Sequence, residues 1–243
     1  MGAMFPGRIF IALGTGEAMN DSPLGYPWPK FQERLERVKE SIEILRQLWT
    51  SDFVNYSGTY YTLKEAKLYT KPKAPIPIYV AANGPQAAAL VGKFADGYAT
   101  VDPVMGNIKT LWPIIDEAAK GAGRNSALLN KNVELFISHS KDYNEALASA
   151  RRWKSVLIPN ILNLPIADPR ELERLGNRIS DAELAKAWAI TTSPEDVVKK
   201  AESAISLGYN EIQFHSASPS EEDFLNICQE EVLPPLKQKY ASS

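Results

Sequence analysis

The residues best placed to do chemistry lie in two short stretches where an apolar run gives way to glycine. The first is Leu13-Gly14-Thr15-Gly16-Glu17-Ala18-Met19-Asn20. Glu17, a carboxylate two or three residues past a strand end, lies on the rim where barrel enzymes place functional groups. A dinucleotide fingerprint would need a third glycine at position 19, where Met19 stands, and a helix opening at once. Instead Pro23, Gly25, Pro27 and Pro29 predict an extended loop. Gly14 and Gly16 equally suit a plain strand-to-loop turn that takes positive φ.

The second stretch is Ala81-Ala82-Asn83-Gly84-Pro85-Gln86. Pro85 fits the first helical turn, Asn83 can cap, and Gly84 lets a ligand approach the backbone. The amides that follow and the helix dipole suit a phosphate or phosphodiester, although an ordinary strand-to-helix turn has the same composition. His139 and His215 each follow or end a strand; His215 could touch a ligand or serve as a satisfied structural histidine. The sequence has no H-E-x-x-H, no Gly-x-Ser-x-Gly and no Cys/His cluster, so zinc chemistry and acyl-transfer triads find no support in it.

The elements that must position these residues follow from periodicity. Residues 8–14 form a short apolar run suited to a buried parallel strand. A long helix follows, with Phe31, Leu35, Val38, Ile42, Leu45 and Trp49 on its apolar stripe and Trp49 expected in the core. Residues 53–63, turning at Ser57-Gly58, predict a hairpin excursion. Strands then fall at 76–82, 96–101, 132–138 and 211–215. Helices fall at 85–95, 107–122, 142–156, 169–177, 180–187, 194–207 and 220–238. Alternation of this kind means a parallel sheet covered by helices. The count is five parallel strands in one domain over 1–243, so the expectation is either an open sheet or a (β/α)8 barrel lacking its first three units.

Composition limits partners. The 243 residues carry a net charge of −2 and 44% hydrophobic residues, with both charge signs interspersed. Nothing asks for nucleic acid or an anionic membrane. The single cysteine, Cys228, excludes an internal disulfide and fits a reducing, cytoplasmic setting. An open barrel edge would leave strand groups unpaired, so a homo-oligomer or a complementary N-terminal chain is expected.

The order of the pieces carries a resemblance: the 5–20 stretch, Trp28-Pro29, Arg34 to Trp49, Ser57-Gly58 with Tyr60-Tyr61, the 76–85 stretch, Ala95-Asp96-Gly97 and Phe214-His215. It resembles the luciferase-like, coenzyme F420-dependent oxidoreductases, near the glucose-6-phosphate and secondary-alcohol dehydrogenases, over nearly the whole chain. The resemblance implies a (β/α)8 TIM barrel whose fourth to eighth strands are the five found here. The first three units, with the family's catalytic histidine and tryptophan, would then be absent. It implies that Glu17 is the active-site glutamate, that Asn20 contacts the deazaflavin and that Thr15 lies beside its ring. Ala82, Asn83, Gly84, Pro85 and Gln86 would then approach the coenzyme's polar tail. The sugar-phosphate enzymes carry a phosphate-binding lysine just after the Asp-Gly strand. Here Thr100 to Met105 has no basic residue, which favours a small alcohol or ketone. An FMN-dependent luciferase-like monooxygenase, or a non-catalytic barrel fragment that oligomerises, are the alternatives.

Overall fold

A computed structural model describes residues 1–240. The chain runs β1 (Ile11–Leu13), α1 (Ala18–Asp21), α2 (Phe31–Thr50), β2 (Val54–Ser57), β3 (Thr62–Ala66), β4 (Ile78–Ala81), α3 (Pro85–Phe94), β5 (Gly97–Val101) and α4 (Ile108–Gly121). It continues through β6 (Asn130–His139), α5 (Tyr143–Ala150), α6 (Pro169–Gly176), α7 (Asp181–Ala187), β7 (Ala189–Thr191), α8 (Pro194–Ser206), β8 (Glu211–Ser216), α9 (Glu221–Ile227) and α10 (Leu233–Tyr240). It divides into two compact units, each described by itself: residues 1–16, 29–99 and 107–131, and residues 17–28, 100–106 and 132 onward.

In the first unit β1, β4 and β5 run parallel, with Ile11 opposite Ile78 and Tyr79 opposite Gly97. Ile78, Tyr79 and Val80 are buried, as expected of a strand covered on both faces. Gly97 has no side chain because the Tyr79 ring occupies that space, and Gly92 lets α3 press against the backbone of α4 at Ile115 and Ala119. Arg124 closes the far end of α3 by donating to the carbonyls of Gly92 and Ala95, which supplies donors to carbonyls that a helix C-terminus leaves without them.

The hairpin is antiparallel and held from α2. Glu40, buried on that helix, accepts the amides of Thr59 at 2.7 Å, Tyr60 at 3.1 Å and Tyr61 at 3.0 Å. Burial alone would push its carboxyl up. The three amides together outweigh that and hold it below the ordinary carboxylate range. Gly58 is required beside it, because a Cβ there would meet the Glu40 carboxylate.

In the second unit β7 and β8 each run parallel to β6, with Ile137 opposite Ala189 and Asn132 opposite Glu211. Two apolar clusters cover this set. One joins Phe136, Ala150, Leu184, Trp188 and Ala217. The other joins Ile137, Val197, Phe224, Cys228 and Val232. Phe136 and Ile137 are consecutive in a strand, so their side chains take opposite faces. Burial among these residues pushes the Cys228 thiol up to about 11. A Ser180–Glu183 capping box starts α7, and Asp142, Asp168 and Ser220 cap α5, α6 and α9.

Several sequence expectations change. Six strands, not five, run parallel to a neighbour, because the three-residue β7 is too short to show a period. The 15–28 loop contains the helical turn α1 and a 3-10 turn, Ser22–Leu24. The 142–156 helix tightens to 3-10 after Ala150, and the last helix passes through a π turn at Cys228–Val232 ahead of Pro234 and Pro235. Trp49 is not in the core. It is half-buried and lines an open cleft of about 480 Å³ with Arg46, Asp96 and Arg124. The stripe's buried members are Leu35, Val38 and Ile42, because α2 packs through its first half and middle while its last turn reaches the edge.

Candidate functional site

Glu17 lies four residues beyond the end of β1 and is the N-cap residue of α1, with extended dihedrals (φ −133°, ψ 126°). Its backbone carbonyl accepts the amides of Asn20 and Asp21. Its side chain makes no cap bond to its own helix. The carboxylate instead accepts a hydrogen bond of 2.9 Å from Asn20 Nδ2, one turn further on. The turn therefore brings two of the expected site residues together, with Glu17 half-buried and Asn20 exposed. Gly16 makes the turn possible with φ of 82°, while Gly14 does not use the left-handed region.

Thr15 is half-buried, and its carbonyl, with that of Gly16, faces the buried guanidinium of Arg34 at 3.4 and 3.5 Å. Arg34 also lies over the Phe31 ring, 5.3 Å from its centroid. This support of the 15–16 backbone from α2 has no local signal in the sequence.

The other expected stretch ends β4. Ala82 is buried and its amide donates to Ala99, which continues the β4–β5 ladder one residue past the strand. Asn83, Pro85 and Gln86 are exposed. Asn83 is not the cap. Gly84 occupies that position with φ −146° and ψ 166°, and no side chain caps α3. Pro85 takes the first helical turn as expected. The dihedrals at Gly84 are open to any residue, and a Cβ there would meet nothing within 4 Å. The fold itself does not need a glycine at this point.

The stretch without a basic residue contains a buried acid. Asp102 is 4% exposed at its side chain, and Lys200 Nζ on α8 lies 2.7 Å from its Oδ2, close as an ion pair though off the line of a good hydrogen bond. Burial raises the Asp102 carboxyl, and Lys200 and a backbone hydrogen bond with Phe136 offset only part of that rise. His215, on β8, has a partner as the structural reading expected: its Nδ1 lies 2.6 Å from Glu134 Oε1 on β6. Residues 134 and 215 are 81 apart in sequence, so nothing local marked Glu134 as a partner. Among the described residues no cluster of histidine, cysteine and carboxylates could hold a metal ion, and no helix is long and apolar enough to cross a membrane.

Three comparisons bear on this arrangement. The family model described as luciferase-like monooxygenase matches residues 1–211. An F420-dependent glucose-6-phosphate dehydrogenase from Microbacterium testaceum (strain StLB037) is 35% identical over 99% of this chain and 72% of that protein. Its counterpart from Nakamurella multipartita is 33% identical over 98% and 70%. Among solved structures, an F420-dependent secondary alcohol dehydrogenase in complex with an F420–acetone adduct aligns with a TM-score of 0.87 and 31% identity, over 96% of this chain and 71% of that one. The coenzyme F420-dependent tetrahydromethanopterin reductase from Methanopyrus kandleri, at 21% identity and a TM-score of 0.72, shares the fold. The alternation of parallel strands and helices, the glycine-bounded Glu17 turn and these similarities agree: the chain belongs to the luciferase-like family, in its F420-dependent oxidoreductase branch.

Proposed function

We propose that the chain is an F420-dependent oxidoreductase acting on a small secondary alcohol or the corresponding ketone. The observation that carries this reading is its similarity, at 31% identity and a TM-score of 0.87, to an enzyme whose structure contains an F420–acetone adduct. The chain's own residues fit the coenzyme at Gly84, where the backbone is open to close approach and α3 begins with its first amides. Ala82, Asn83, Gly84, Pro85 and Gln86 would hold the polar tail, and Thr15 and Asn20 would lie toward the ring. The deazaflavin, when bound, supplies the hydride chemistry.

Glu17 manages the substrate's proton. A carboxylate at a strand's C-terminal side can take or return a proton on a substrate oxygen, and the Asn20 amide keeps it aimed without neutralising it. The substrate preference rests on the 100–105 stretch, which has no cation of its own and whose Asp102 already holds the Lys200 ammonium. Glucose 6-phosphate is the competing substrate, since the dehydrogenases of Microbacterium and Nakamurella carry that name.

We extend the reading to architecture and assembly. The six parallel strands are taken as part of a (β/α)8 barrel, and the chain matches about 70% of the length of its relatives. Within the first unit β1 ends the order β1-β4-β5, which favours a homo-oligomer or a complementary chain on that edge. Titrating the protein with oxidised F420 and with FMN, followed by absorbance and fluorescence, tests the coenzyme. Saturable binding of F420 alone is expected; binding of FMN alone would move the chain to the monooxygenase reading.

A further inference from the structure

The first unit contains a concave site at the opposite end of its strands from residues 82–86. It is the open cleft of about 480 Å³ beside Trp49. Ile76 and Asp96, which line it, stand just before β4 and β5, so the cleft opens where these strands begin. Arg46 Nη2, on α2, donates to Asp96 Oδ1 across 3.0 Å. Arg124 Nη2 lies 3.6 Å from the same oxygen, while Asp96 Oδ2 accepts the Ile78 amide at 2.9 Å. Both oxygens of the carboxylate are therefore engaged.

Two guanidiniums face this one carboxylate, which leaves one positive charge in excess among the lining residues. Burial pulls the Arg124 guanidinium down; Asp96 opposes that, and the neighbouring charge of Arg46 adds to it. Arg124 is fixed in place by the Gly92 and Ala95 carbonyls. Arg46 uses only Nη2, and its Nε and Nη1 groups have no acceptor among the described residues. The Gln47 side chain and the half-buried Trp49 indole also line the cleft, and among the described residues neither has a hydrogen bond or ring contact. The cleft therefore presents surplus N–H donors, one surplus positive charge and an unstacked flat ring.

We propose that this cleft binds a small aromatic carboxylate, held by Arg46 and stacked on Trp49. The ligand's carboxylate accepts the N–H groups that Arg46 leaves over and cancels the excess charge. Its ring lies against Trp49, with Ile76 completing the apolar wall. Inorganic phosphate supplies the acceptors without an apolar body, and a neutral amide supplies the ring without the charge. The volume falls within the range of small-molecule sites, about 300–1,000 Å³. Parallel α/β folds do their chemistry at the C-terminal ends of the strands, so a ligand at the other end acts as effector or stabiliser and not as substrate. None of these residues belongs to the proposed coenzyme site, and the inference stands apart from that reading.

The experiment titrates the intact protein with benzoate, benzamide and inorganic phosphate at constant ionic strength, followed by the indole N–H resonances. The sequence has five tryptophans, and Trp49→Phe identifies the Trp49 signal by its loss. A saturable shift of that signal with benzoate is expected, with benzamide and phosphate each roughly tenfold weaker or more. Arg46→Gln should weaken benzoate roughly tenfold, as loss of a charged hydrogen-bond donor does. Arg46→Lys, which keeps the charge but not the planar array of donors, should recover part of the loss. The fold should survive both changes, because Asp96 keeps the Ile78 amide and Arg124, and half-exposed ion pairs contribute little. A benzoate shift that stays linear would overturn the inference, as would unchanged affinity in Arg46→Gln. Benzamide or phosphate binding as tightly as benzoate would also overturn it, and that comparison needs only the wild-type protein.

Discussion

Asn20 Nδ2 donates to Glu17 Oε2 across 2.9 Å, within a single turn of helix that begins immediately after Glu17. The pair links one residue able to move a proton to one able only to orient it. Replacing Glu17 with Gln keeps size and hydrogen-bonding reach but removes titration. Turnover should fall by roughly 10²–10⁴-fold, the usual range for a general acid–base group, with F420 affinity nearly unchanged. Asn20→Ala should give a smaller loss, because the carboxylate remains. Steady-state kinetics with separately measured coenzyme affinity checks both, and a Glu17→Gln enzyme as fast as the wild type would make Glu17 a turn residue.

Gly84 gives a test that the fold does not confound. A Cβ at this position meets no atom of the protein within 4 Å, and the dihedrals suit any residue. Gly84→Val should therefore leave the melting temperature within a few degrees of wild type, as an uncrowded substitution at a half-buried site does. It should weaken F420 by crowding the backbone approach. Calorimetric titration of both proteins decides it: equal affinity removes residues 82–86 from the coenzyme site.

The Asp102–Lys200 pair should respond asymmetrically. The lysine stem can carry its ammonium to water, whereas the carboxylate, 4% exposed, has nowhere to go. Lys200→Met removes the charge that offsets part of the Asp102 burial, and should cost about 3 kcal/mol at pH 7 and less at pH 4, where the carboxyl takes a proton. Asp102→Asn should cost roughly 1 kcal/mol. The pH dependence has a definite sign. The Asp102 carboxyl is raised in the fold by burial, so its protonated form favours folding. Its contribution is fully present below the unfolded carboxyl value and is lost as pH rises through the raised one. Urea titrations from pH 4 to 7 should show this downward component in the wild type and its absence in Asp102→Asn.

The β1 edge predicts association. Sedimentation velocity at micromolar concentration should show a dimer or larger species, with unpaired strand groups covered by a partner. A compact monomer that unfolds cooperatively at the same concentration would contradict it.

Much of this was legible in the sequence because it is local. The α2 stripe, the hairpin turn at Ser57-Gly58, the buried strand before Ala82, Pro85 at the start of α3 and the glycine at 16 each follow from period or dihedral preference. What escaped depends on distance along the chain or on short length. β7 has three residues and no period to detect. Trp49 fits the apolar stripe by spacing, but spacing does not say where the partner surface ends. Glu134 reads as an ordinary polar residue in a strand, and only the pairing of β6 with β8 brings it to His215. Within the candidate site, the positive φ at Gly16 and the helix start at Pro85 could be read from residue types, whereas the helical turn after Glu17 could not. The Arg34 support of Thr15 and the true cap at Gly84 could not.

The central claim is F420-dependent oxidation of a small secondary alcohol. The direct measurement is the rate of F420 reduction, followed by loss of the coenzyme's visible absorbance, with 2-propanol and with glucose 6-phosphate at matched concentrations. The account predicts turnover with 2-propanol, formation of acetone in equal amount, and a kcat/KM at least tenfold above that for the sugar phosphate, a difference of about 1.4 kcal/mol in transition-state binding. Reduction of F420 by glucose 6-phosphate with 2-propanol inert would contradict it.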